Sequence, residues 1–195
     1  VTASVDFYEP LPFLGWAAEV HQSWRFATIL KLARPMTNDE QFNKACELWD
    51  KRRLREAFRL FLAAAKGGDV GAQLNVGYFY DYGIGTKKDT DAALRWYTRV
   101  HRRGHSSGTQ NIGTVYLERG EKKRALRWFE RALAKGNDGS ALNIGKLHLT
   151  EGNLQLAAEY LERASQSQTV SDETAEKAAK LLKQVRRSMR RGRDK

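Results

Sequence analysis

Ala93-Leu-Arg-Trp96, Ala125-Leu-Arg-Trp128 and Ala157-Ala-Glu-Tyr160 stand 32 residues apart, twice over. Eleven residues after the first two alanines come Gly104 and Gly136. The same register runs back by 36 residues to Ala57-Phe-Arg-Leu60, with Gly68 eleven residues beyond its alanine. A second signature precedes three of these: Asn75-Val-Gly77-Tyr-Phe-Tyr80, Asn111-Ile-Gly113-Thr-Val-Tyr116 and Asn143-Ile-Gly145-Lys-Leu-His148. Such a period is that of a helical hairpin stacked on copies of itself, each unit burying the apolar face its neighbour leaves open. The expected fold is all-α: a right-handed α/α solenoid of about four helix–turn–helix units, at residues 40–71, 72–107, 108–139 and 140–171.

Each unit makes physical sense as two antiparallel helices. A glycine after the second helix takes the left-handed conformation that closes a helix. A glycine inside the first helix costs roughly 1 kcal/mol of propensity against alanine. Its recurrence at Gly77, Gly113 and Gly145 therefore predicts close backbone approach between the two helices, with the aromatic and alanine positions as large and small complements.

Outside the array, residues 1–39 are rich in aromatics, including Phe7, Tyr8, Phe13, Trp16, Trp24 and Phe26. They predict an N-terminal helical cap, with a helix over about Leu14–Ala33 ended by Pro35, and Asn38-Asp39-Glu40 opening the next helix. Residues 172–195 predict a C-terminal capping helix and basic tail. Ser171 is placed as N-cap, and Ala175, Ala178, Ala179, Leu182 and Val185 form one apolar stripe over the last repeat.

Composition agrees with this class. Of 195 residues, 41% are hydrophobic and 29% charged, the balance of a soluble globular chain, and three prolines argue against a loop-rich β architecture. No stretch approaches the roughly 20 apolar residues of a membrane span. The net charge of +11 favours anionic partners, whether nucleic acid, acidic protein or lipid surface. The single cysteine, Cys46, excludes an internal disulfide and fits a bacterial cytoplasm, while a periplasmic location stays open. The chain opens at Val1 rather than Met, so a removed upstream segment or a longer parent protein is expected.

The second unit carries the most specific pattern: Ala72-Gln-Leu-Asn-Val-Gly-Tyr-Phe-Tyr-Asp-Tyr-Gly83-Ile-Gly85, then Asp89, Ala92-Ala-Leu-Arg-Trp96-Tyr97 and Gly104. It resembles the Sel-one-like repeat branch of the tetratricopeptide superfamily. The Gly-Ile-Gly loop and later Asp mark that branch, and the other three units look like plain tetratricopeptide repeats. The resemblance implies adaptor or scaffold work through a concave groove, with no shared enzymatic activity and no cofactor.

On the first helices, Asn75 and Asn111 and Asn143 recur, and the register extends to Asn43, where Ala45 replaces the helix glycine. A carboxamide both donates and accepts, so it pairs with the N–H and C=O of one peptide unit. A ladder of them suits an extended peptide backbone; the alternative is bonding between neighbouring helices. The same face is expected to present Tyr78, Asp81 and Tyr82, then Thr114 and Glu118, then Lys146, with Cys46 and Trp49 at matching places in the first unit. On the second helices, Arg59, Arg95, Arg99, Arg127 and Arg131 are expected to form a convex basic ridge.

Catalytic and metal signals are absent from the motifs. Gly83-Ile-Gly85-Thr-Lys-Lys lacks phosphate-loop spacing. His101 and His105 lack a completing carboxylate or cysteine. The expected function is therefore a non-enzymatic scaffold binding a protein or peptide, as a bacterial adaptor, a secretion or envelope regulator, or a toxin-immunity protein. The alternative is a nucleic-acid-associated protein using the basic ridge and the arginine-rich tail, whose binding would fall steeply with salt.

Overall fold

The computed structural model describes residues 34–193, and the chain divides after Met36 into two units, of which the second holds the repeats. The helix expected over Leu14–Ala33 and its capping role lie outside the described residues. The described residues are helical throughout apart from connections. In order they form α1 Asn38–Asp50, α2 Leu54–Lys66, α3 Val70–Tyr82, α4 Thr90–Arg102, α5 Ser106–Glu118, α6 Lys122–Ala134, α7 Gly139–Thr150, α8 Leu154–Gln166 and α9 Asp172–Arg193. The first eight are four consecutive hairpins, and α9 packs on α8 and touches α7.

Local chemistry sets the helix ends. Thr37 caps α1 in a reciprocal box with Glu40: the Thr37 hydroxyl accepts from the Glu40 N–H at 3.3 Å, and the Glu40 carboxylate accepts from the Thr37 N–H at 2.9 Å. Asp69 caps α3 and Asp89 caps α4 through the N–H groups of Ala72 and Ala92. The Ser171 hydroxyl accepts from Thr174 N–H at 3.4 Å where α9 begins. Gly68, Gly104 and Gly136, expected to close second helices, have φ of 99°, 89° and 80°.

Within each hairpin the helix glycine is a contact point. A Cβ at Gly113 would stand 2.8 Å from the Phe129 ring, and one at Gly145 would stand 2.8 Å from Leu161. A Cβ at Gly77 would overlap the Tyr97 ring. This corrects one expectation. The large complement is the residue after the Trp or Tyr of the repeated motif, not Trp96, Trp128 or Tyr160 themselves. Tyr97, Phe129 and Leu161, with Phe61 in the first hairpin, are all fully buried.

The insertion of the second unit turns through Gly83 and Gly85, at φ 70° and 62°, and Gly85 lies directly against the Leu54 carbonyl at the start of α2. Successive hairpins join through α2–α3, α4–α5 and α6–α7 packing, and α3 also touches α5. Contact between first helices of neighbouring units identifies them as the inner layer. Ion pairs add to the packing: Arg119 to Asp91 at 2.6 Å joins the second and third hairpins, Arg163 to Asp138 at 2.9 Å ties α8 to the start of α7, and Arg186 to Glu162 at 2.7 Å ties α9 to α8.

Candidate functional site

Helical geometry brings i, i+3 and i+7 to one face. Asn75, Tyr78 and Tyr82 therefore share a face of α3. Asn111, Thr114 and Glu118 occupy the equivalent face of α5, and Asn143 and Lys146 that of α7. Asn43 is exposed, while Asn75, Asn111 and Asn143 are half-buried. Among the described residues, none of these three carboxamides hydrogen-bonds to another group of the protein. Thr114 is half-buried, its hydroxyl turned back to donate to the Gln110 carbonyl at 3.4 Å. Lys146 and Glu118 are exposed.

Two large apolar rings stand out on this face: Tyr78 is 39% exposed and Tyr82 49%. Trp49 stacks on Tyr78 with centroids 5.9 Å apart, and Tyr78 contacts Tyr82 at 4.6 Å. The Tyr82 hydroxyl donates to Glu118 Oε1 at 3.1 Å, joining two residues in the same register of successive repeats, 36 apart in sequence. Burial and the Glu118 carboxylate, which Tyr82 touches, push the Tyr82 hydroxyl up to about 12.

Asp81 departs from its expected role. It is 2% exposed, so it lies beneath the face rather than being presented on it. Its Oδ1 is buried without a hydrogen-bond partner. Burial first, and then the Glu118 carboxylate, push its pKa up to about 6, against the opposing pull of Lys88 and Arg119. Asp81 in turn disfavours ionisation of the buried Tyr97 hydroxyl, which desolvation already suppresses. The electrostatic coupling of Asp81 to Tyr97, Glu118 and Arg119 was invisible to motif reading, since these residues come from three helices and the turn that follows α5.

Arg59, Arg95, Arg99, Arg127 and Arg131 are all exposed on second helices. Arg99 lies 4.3 Å above the Trp96 ring and Arg131 lies 4.9 Å above that of Trp128, while Arg95 reaches Asp89 at 3.8 Å. His101 stacks edge-on to Trp128 at 5.1 Å and shares a 2.8 Å hydrogen bond with Thr109, so its ring is committed to the α4–α5 seam. Cys46 is half-buried, and burial followed by the nearby Asp50 pushes its thiol up. Among the described residues, no group of three or more His, Cys, Asp or Glu side chains is arranged to hold a metal ion. No described helix is long and apolar enough to cross a membrane.

Stacked hairpins with an inner layer of first helices define a helical-repeat solenoid of the tetratricopeptide type. The Sel1 repeat is matched at residues 51–69, 70–100 and 111–137, and a tetratricopeptide repeat at residues 139–168. The chain is thus a Sel1-like repeat protein of the tetratricopeptide-like superfamily. It is similar to a sel1-like repeat-containing protein of Acanthamoeba polyphaga mimivirus, 35% identical over 60 residues, or 31% of this chain and 11% of that protein. A protective antigen of uropathogenic Escherichia coli strains displaying an SLR fold matches with a TM-score of 0.55 and 26% identity, covering 67% of this chain and 31% of that one. A Sel1 repeat protein from Oxalobacter formigenes has the same fold, with a TM-score of 0.53 and 24% identity over 76% of this chain and 65% of that one. The chain spans less than two thirds of the length of each of these relatives. Repeats of this family are usually non-catalytic and typically mediate protein–protein interactions.

Proposed function

We propose that the chain is a non-enzymatic scaffold that holds an extended segment of a partner protein along the face of its first helices. The observation that carries this reading is the asparagine series. Three carboxamides, one per repeat, sit half-buried without an intramolecular hydrogen bond among the described residues. A half-buried carboxamide that bonded α3 to α5 would be structural, and among the described residues none of the three forms such a bond. Each instead offers a donor and an acceptor to one peptide unit. The stacked rings of Trp49, Tyr78 and Tyr82 supply adaptable apolar contact beside it, the residue types that dominate binding energy at interfaces.

The test is a pull-down with the immobilised chain, in native form and as the Asn75→Ala, Asn111→Ala double variant. The native chain is expected to retain one stoichiometric protein, and the variant to lose it while the melting temperature moves by less than about 2 °C. Retained binding with a clearly lowered melting temperature would assign the asparagines to packing instead. Capture of RNA or DNA that disappears steeply with added salt would move the function to the second-helix arginines.

A further inference from the structure

Asp81 stands in a packing position. The equivalent residues in the other three units are Trp49, Leu117 and Leu149, all half-buried apolar side chains. A carboxylate there is 2% exposed and has an unpartnered buried oxygen, an arrangement that costs stability. Packing therefore does not explain it. Beside it lies a second carboxylate, Glu118, delivered from the next repeat and oriented by the Tyr82 hydroxyl at 3.1 Å.

Acidic side chains of the repeats such as Glu47, Glu56, Asp91, Glu121, Asp138 and Glu162 are ion-paired to lysine or arginine, whereas among the described residues neither Asp81 nor Glu118 has a cation within 4.0 Å. The adjacent cation, Arg119, is held away by Asp91 at 2.6 Å. Lys88 acts on Asp81 only at longer range. Two carboxylates with no cation within 4.0 Å among the described residues therefore border two exposed tyrosine rings on a predominantly basic protein.

We infer that Tyr78, Tyr82, Glu118 and the underlying Asp81 form a subsite for one cationic side chain, lysine or arginine, of the bound peptide. The inference rests on the proposed peptide-binding face and adds its specificity. The ammonium or guanidinium meets the free oxygen of Glu118, whose other oxygen is held by Tyr82. The faces of the tyrosine rings attract the same charge, and the aliphatic stem covers the rings. The charge of Asp81 adds a field from below without needing direct contact. Asn75 and Asn111, on the same faces of α3 and α5, hold the backbone on either side. A basic partner also answers the local reversal of sign: acid on the inner face between the second and third repeats, arginine on the outer one.

The experiment uses the full chain labelled with nitrogen-15 and titrated to millimolar concentration with blocked pentapeptides, Ala-Ala-Lys-Ala-Ala and its arginine, leucine and glutamate counterparts. The lysine and arginine peptides are expected to shift Tyr78, Tyr82 and Glu118 resonances. Glu118→Gln and Tyr82→Phe should each weaken that binding at least about fivefold without altering the remaining spectrum, since both side chains are exposed. Equal shifts at Asn75 and Asn111 from all four peptides would overturn the subsite while leaving the peptide-binding face in place. Shifts from none of them would also overturn it, and the face would then stand or fall on the asparagine variant in the pull-down. Tighter binding of the glutamate peptide would overturn it outright.

Discussion

Asp81 gives the clearest single-residue consequence of the fold. Its folded pKa is raised from the ordinary 3.8 to about 6, so folding favours the protonated acid. The associated stability is fully present below about pH 4 and is lost as pH rises through 6. Asp81→Asn removes that dependence, because the amide is neutral throughout. The variant is expected to be more stable than the native chain at pH 7 by on the order of 2 kcal/mol, with the difference vanishing below pH 4. Urea melts across pH 4–8 check it, and parallel curves for the two proteins would show that the carboxylate is better solvated than its burial indicates. Arg52 is a second such residue. Its φ is 59°, and its counterparts between the helices of the third and fourth hairpins are Gly120 and Gly152, at 77° and 79°. A side chain in the left-handed region costs about 1–2 kcal/mol, partly offset by the chain entropy that glycine adds to the unfolded state. Arg52→Gly should therefore raise stability by about 0.5–1 kcal/mol, read as an increase in the melting temperature; an unchanged or lower value would show the exposed arginine contributing more than its strain removes.

At the scale of elements, the two helices of a hairpin differ in how many neighbours they serve. α4 packs on α3 and α5 and keeps a polar face, with Arg95, Arg99 and Arg102 exposed opposite the buried Ala93, Trp96, Tyr97 and Val100. That division is legible from helical spacing alone. α3 packs on α2, α4 and α5 together, so its buried positions run around the helix: Ala72, Gln73, Val76, Gly77, Phe79 and Asp81. No single-helix pattern distinguishes Asp81 from its exposed neighbour Tyr82. The hairpin glycines were legible as sites of close approach, but their partner was not, because the Trp and the residue after it lie 100° apart on the helix and only packing selects between them. Gly113→Ala tests that contact. The new methyl would press on Phe129, an overpacking cost of about 1–3 kcal/mol against roughly 1 kcal/mol of recovered helix propensity. A net loss of about 1 kcal/mol by thermal melting is expected, and a net gain would mean that the Phe129 ring yields freely.

For the molecule as a whole, the repeat register carried most of what the sequence could say. Spacings of 32 and 36 residues, the caps and the closing glycines determined the number of hairpins, the order of helices and which residues recur in the same place. These are local properties, set by backbone sterics and by hydrogen bonds between near neighbours in the chain. The asparagine series and the exposed arginines followed from that register as well. Tertiary packing alone decided that Asp81 is buried, that Arg119 turns to Asp91, and that Tyr82 meets Glu118 from the next repeat. Burial on an inner helix depends on how closely the following hairpin seats, and a charge is left without a cation only when its neighbours bond elsewhere. Both are properties of residues far apart in sequence, and no periodicity records them.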